Sequence, residues 1–108
     1  MFTSTASKAF LLATDHEIND AEKHYCTTSA YIQNWLKLFD NCMFLLSDVD
    51  AYRLSELLAK SPFGNSVFFL TELEHDAMKV NGRIPPIVWE FLKNRPTKPT
   101  LLRAIEQP

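Results

Sequence analysis

The stretch "IQNWLKLFDNCMFLL", residues 32–46, is dense in large apolar side chains, and its reading decides the fold. Ile32, Trp35, Leu36, Phe39 and Met43 follow the i, i+3, i+4, i+7 spacing of one face of an α-helix. That spacing predicts a helix, with Thr28 or Ser29 as its cap. The end of the run, Met43 to Leu46, fits either the last turn of this helix or a short extended segment. Read as helix, the stretch makes the chain all-α.

The flanking segments point the same way. The chain has only two glycines, Gly64 and Gly82, and such scarcity suits helices better than a turn-rich β fold. The six prolines fall between the periodic runs and act as punctuation. Within residues 4–13, Ala6, Ala9, Phe10 and Ala13 recur at helical spacing. Thr14 with Glu17 forms a capping-box pair for a polar helix running from Asp15 to about Tyr25. In "LSDVDAYRLSELL" (46–58), Ser47 and Asp50 cap a helix whose Leu54, Leu57 and Leu58 share one side. That helix stops before Pro62, because the residue ahead of a proline is pushed out of helical geometry. Ser66 starts another, through Val80, with Leu70, Leu73, Ala77 and Val80 in line and Asn81-Gly82 as its close.

Two helices joined by "SPFGN" (61–65) predict an antiparallel αα-hairpin over residues 47–80. Pro86 suits the first turn of a last helix, Ile87 to Lys93, with Val88, Trp89 and Leu92 inward. The expected architecture is one helical domain over 1–95, a small bundle around the 47–80 hairpin. Residues 96–108 read as a loosely ordered basic tail.

The totals exclude several functions. A chain of 108 residues supports one core. Its formal net charge of −2 argues against a direct nucleic-acid binder that neutralises phosphates. The 5 basic and 2 acidic groups of residues 81–108 read as a solvated end. The apolar runs are too short for a signal core or a membrane span. With Cys26 and Cys42 as the only cysteines and no secretory signal, reduced thiols and a cytoplasmic protein are expected.

Motifs with a chemical mechanism are scarce. On one continuous helix, His16, Asp20 and His24 would share a face, with Cys26 nearby, in a metal-ligand pattern. An exposed polar face gives the same spacing. Glu72-x-x-His75 matches the E-x-x-H unit of di-iron bundles, but such sites need two of these units and this chain has one. The acidic run Glu72, Glu74, Asp76 reads as a solvated face. No nucleophile sits in a recognisable setting, and there is no glycine-rich phosphate loop. The expectation is a protein that is not an enzyme and uses neither metal nor cofactor.

"LSDVDAYRLSELL", then "FLTELEHDAMKV", then "IPP" form an ordered pattern over about residues 46–87. It resembles the N-terminal helical hairpin of the nucleoside diphosphate kinase regulators, relatives of the Gre transcript cleavage factors. The matching residues are Ser47, Asp50, Arg53, Leu54, Leu57 and Leu58, then Glu72, Leu73 and Ala77, then Pro85 and Pro86. The resemblance implies an antiparallel hairpin associated with bacterial RNA polymerase. The FKBP-like domain of those relatives has no counterpart after Pro86, where helix and tail are expected. The tip "SPFGN" lacks the carboxylates that hold magnesium in Gre factors, so transcript cleavage is not implied.

The expected function is therefore non-enzymatic regulation through protein–protein contacts, with RNA polymerase as a partner. Pro62 and Phe63 at the hairpin tip, with exposed parts of Phe68 and Phe69, are the expected contact residues. The alternative is a small helical interaction or inhibitor protein, homodimeric and unrelated to transcription. Arg53 is expected to pair with Glu56 or Asp50 on the helix surface.

Overall fold

A computed structural model describes residues 6–73 and 82–97. The chain is mixed α and β, which corrects the all-α expectation. Its elements are β1 (Lys8–Thr14), α1 (Asp20–Thr28), β2 (Asn34–Phe39), β3 (Cys42–Ser47), α2 (Ala51–Ala59), a 3-10 turn (Pro62–Asn65), β4 (Phe68–Leu73) and α3 (Pro86–Asn94). The four strands form one sheet in the order β2-β3-β1-β4, with every neighbouring pair antiparallel. The first six regular elements follow the β-α-β-β-α-β sequence of the ferredoxin-like, split β-α-β topology. α3 is an addition to it.

Both faces of the sheet are covered. On one, Phe10 and Leu12 of β1 and Met43 and Leu45 of β3 pack with Leu54 and Leu58 of α2, Cys26 of α1 and Phe63 of the 3-10 turn. On the other, Ala9, Phe44 and Leu46 pack with Val88 and Leu92 of α3. Arg95 ends α3 in a left-handed conformation with φ 49°. Its carbonyl accepts from the Ala6 N–H at 2.8 Å, and its Nη1 donates to the Ser7 carbonyl at 2.7 Å. These bonds fasten the end of α3 to the start of β1.

Double coverage explains why residues 32–46 carry helical spacing yet form strands. A sheet buried on both faces needs apolar residues at successive positions, and this erases the alternation of a half-exposed strand. In β2, Trp35 packs with the α1/α2 core while Leu36 and Leu38 pack with the α3 core. The apparent helical stripe thus belongs to two opposite faces. The strands meet at a two-residue turn, Asp40-Asn41, with Phe39 opposite Cys42. Among the described residues only Arg95 is a non-glycine with positive φ, so this turn is not left-handed. Right-handed turns splay hairpin strands. The register shift between Lys37 and Phe39 supplies local twist of the kind a bulge brings. The hairpin therefore manages without glycine.

The helical hairpin over 47–80 is corrected too. Its first half is present as α2, with Asp50 as N-cap, its side chain accepting from the Arg53 N–H at 2.8 Å. The second half begins as strand β4, and residues 74–81 lie outside the described residues. Leu70 packs with the α1/α2 core and Leu73 with the α3 core, so they lie on opposite faces of a strand. The helix expected within residues 4–13 is replaced by β1. The capping box of α1 is Asn19 with Glu22 rather than Thr14 with Glu17. The last helix starts at Pro86, as its proline predicts. The expected tail at 96–108 lies largely outside the described residues. Pro96 does not, and its carbonyl accepts from Asn34 Nδ2 at 3.0 Å.

Phe10 and Phe69 test this assignment, since one is fully buried and the other 64% exposed. Phe10→Ala should cost about 3–5 kcal/mol in urea denaturation, the range for truncating a core phenylalanine. Phe69→Ala should stay within about 0.5 kcal/mol, as surface substitutions do. Equal losses would contradict the strand register.

Candidate functional site

Two features cluster where β1 ends and β4 begins: a polar cleft and the free edge of β4. The cleft is built on the turn after β1. The Thr14 N–H donates to the Asn41 carbonyl at 2.9 Å, and the Asp15 N–H donates to the Val67 carbonyl at 3.1 Å. Thr14 Oγ1 donates to the His16 carbonyl at 2.6 Å. These bonds hold His16 against the start of α1. There Glu22 is buried to 1% exposure and accepts from the Asn19 N–H at 2.9 Å, while Asn19 Oδ1 accepts from the Glu22 N–H at 2.9 Å. This capping box leaves the Glu22 carboxylate facing the imidazole.

His16 Nε2 lies 2.9 and 2.8 Å from the two Glu22 oxygens, and Nδ1 lies 3.1 Å from Asp15 Oδ1. Both ring nitrogens thus meet a carboxylate. Only the imidazolium can donate in both directions, so the arrangement favours the charged ring. The bond to Asp15, then that to Glu22, raises the His16 pKa above its ordinary 6.5, against a smaller opposing effect of desolvation. The bond from His16 in turn lowers the Asp15 pKa below the usual 3.8. The cleft in front holds about 380 Å³ and is completed by Asn19, Pro62 and Ser66. Ser66 Oγ donates to the Phe63 carbonyl at 2.8 Å, so its hydroxyl proton is engaged within the turn.

The metal pattern read along residues 16–26 is not assembled. His16 precedes α1, Asp20 opens it, and His24 is exposed on it. No group of three or more potential ligands suited to a metal ion occurs among the described residues. Glu72 lies on β4, and its proposed partner His75 lies outside the described residues. Arg53 Nη1 is 4.0 Å from Glu56 Oε1, the surface pair expected from their spacing, and its guanidinium lies 5.8 Å from the Tyr31 ring centroid.

The four expected contact residues have different fates. Phe63 is fully buried, held by Ser61, whose Oγ accepts from the Phe63 N–H at 3.1 Å. The turn closes so tightly on α2 that a Cβ on Gly64 would collide with the Ala59 carbonyl. Phe63 is thus part of the core and presents no surface. Pro62 is exposed at the rim of the cleft. Phe68 is half-buried against the α1/α2 core, and Phe69 is exposed on the other face of the same strand. Val67, 73% exposed beside them, is not among the four expected contact residues although it belongs to the same apolar run. Its signal was the β-branched and aromatic run "SVFFL", which favours a strand.

The Asp15 to Val67 bond fixes which way the backbone of β4 points. Val67 and Asp15 share the register that pairs Ala13 with Phe69 and Leu11 with Thr71. Antiparallel strands alternate inward and outward main-chain groups. Val67, Phe69, Thr71 and Leu73 therefore bond toward β1, while Phe68, Leu70 and Glu72 turn their N–H and C=O groups to the free edge. No other described strand pairs with that edge.

No known protein family, curated protein or solved structure matches the chain. Among the described residues, no helix is long and apolar enough to cross a membrane.

A raised His16 pKa has a defined sign. The pair's contribution to stability is complete below pH 6.5 and is lost as pH rises through the higher folded-state value. The Asp15 contribution is the opposite case, complete above 3.8 and lost as pH falls through its lowered value. Melting temperature should therefore decline above pH 6.5 more steeply in the native protein than in His16→Gln, and parallel declines would dismiss the effect. Glu22→Ala, which strips the buried cap, should cost about 2 kcal/mol at neutral pH in chemical denaturation.

Proposed function

We propose that this protein is a non-enzymatic regulator of the bacterial cytoplasm that works by binding another protein. The observation that supports this reading is the outer edge of β4, where Val67 and Phe69 stand 73% and 64% exposed beside main-chain groups that no other described strand pairs. Open strand edges invite pairing, and proteins usually blunt them. Here two large apolar side chains lie beside the opening instead, the composition of a contact surface. Bacterial RNA polymerase is the partner that the resemblance over residues 46–87 puts forward. Because β4 takes the place of the second helix, the contact would run through the strand edge and its flanking side chains.

Site-specific photo-crosslinking in the bacterial cytoplasm tests the reading. A crosslinker in place of Phe69 should give one discrete protein adduct, and one in place of the exposed Glu56 on α2 should give none. Adducts at neither position, or the same adducts at both, would remove the basis for a partner at β4. An adduct containing an RNA polymerase subunit would support the polymerase, and an adduct lacking one would exclude it as the partner at this edge.

A further inference from the structure

We infer that the partner adds to the free edge of β4 as a fifth, antiparallel strand, and that this strand is apolar with a lysine or arginine at each end. The inference rests on the protein-binding reading above and adds the mode of binding and the chemistry of the partner.

The main chain sets the mode. Phe68, Leu70 and Glu72 each turn one N–H and one C=O outward, at the spacing an added antiparallel strand needs. The opposite edge of the sheet is poorly suited. β2 carries a register shift between Lys37 and Phe39, and a bulge with a lysine is a common way to blunt an edge. β4 has neither a register shift nor a basic residue.

Side chains set the composition. Phe68 and Leu70 face the α1/α2 side and are only half-buried, and no further described strand screens them. Phe69 and Val67 stand exposed toward the α3 side. An incoming strand therefore meets apolar surface on both of its faces. Acidic groups bracket this surface. Glu72 is exposed at one end. At the other, Asp15 is bonded through its N–H to Val67, and the Asp15–His16–Glu22 cluster stays net negative even with His16 protonated. Opposite charges across a strand pair are favourable and like charges are not.

Charge also decides against a second copy of this chain. Antiparallel self-pairing centred on Leu70 sets Glu72 opposite Phe68 of the other copy, one residue from the Val67 that holds Asp15. Acid would approach acid at both ends.

The probe is a blocked synthetic peptide, Lys-Thr-Val-Phe-Val-Val-Lys, whose residues would lie opposite Glu72 through Ser66. NMR titration and amide exchange on the full chain read its binding. Saturating peptide should slow exchange of the Phe68, Leu70 and Glu72 amides at least tenfold, while Phe69 and Thr71, already bonded to β1, change little. A peptide with both lysines replaced by glutamate should bind at least tenfold more weakly, and Glu72→Lys should shrink or invert that preference. Binding without protection of the three outward amides, or no binding at about 1 mM peptide, would overturn the inference. So would a dimer in sedimentation that protects the same amides without peptide, which would make a second copy the occupant. If crosslinking from position 69 succeeds while the peptide fails, the partner binds through side chains alone, and only the inference falls. If crosslinking fails, the protein-binding reading falls with it.

Discussion

Strand β1 is paired along both of its edges, and the rest of the structure depends on that double pairing. Its even-numbered residues bond to β3 and its odd-numbered residues to β4, as the Thr14 to Asn41 and Asp15 to Val67 bonds show. The same alternation sends Phe10 and Leu12 to one core and Ala9 to the other. A one-residue slip would exchange the two sets, placing phenylalanine under α3 where alanine now fits. Register is therefore fixed by side-chain size on both faces together, and the helices pack on a surface already decided.

Placing β1 in the middle leaves β4 on the outside. That position follows from chain order, since β2 and β3 form a local hairpin and occupy the other side of β1. β4 keeps an open edge, and its aromatic residues divide between a half-buried face and an exposed one. The same arrangement brings the turn after β1 against the turn before β4, so the Asp15, His16 and Glu22 carboxylate–imidazole cluster borders the edge. Glu22 serves three purposes there: it is the N3 member of the α1 capping box, a buried acceptor, and the partner of His16. A capping-box carboxylate that also accepts from His16 ties the start of α1 to the turn after β1.

Parts of this were legible in the chain. Asp50 and the leucine face of α2 were, because a short amphipathic helix over one core keeps its period. Pro86 marked the start of α3 for a similar local reason: proline suits the first helical turn wherever that turn lies. The strands were not legible. β2, β3 and β4 have partners on both faces or aromatic residues at successive positions, so period two is lost and helical spacings arise among their leucines. The expected contact residues divide in the same way. Phe69 is exposed, whereas Phe63 lies in the core, because a 3-10 turn folded onto α2 takes the place of a hairpin tip.

The sequence by itself determined what acts within one turn of chain: the Asp50 cap, the leucine face of α2 and the Pro86 start. These signals work between residues a few positions apart and need no partner from elsewhere. Only the tertiary structure decided which apolar residues belong to which core, which strand lies at the edge, and which carboxylates meet His16. Each of these is a long-range pairing, and a two-faced sheet has no periodicity that announces it.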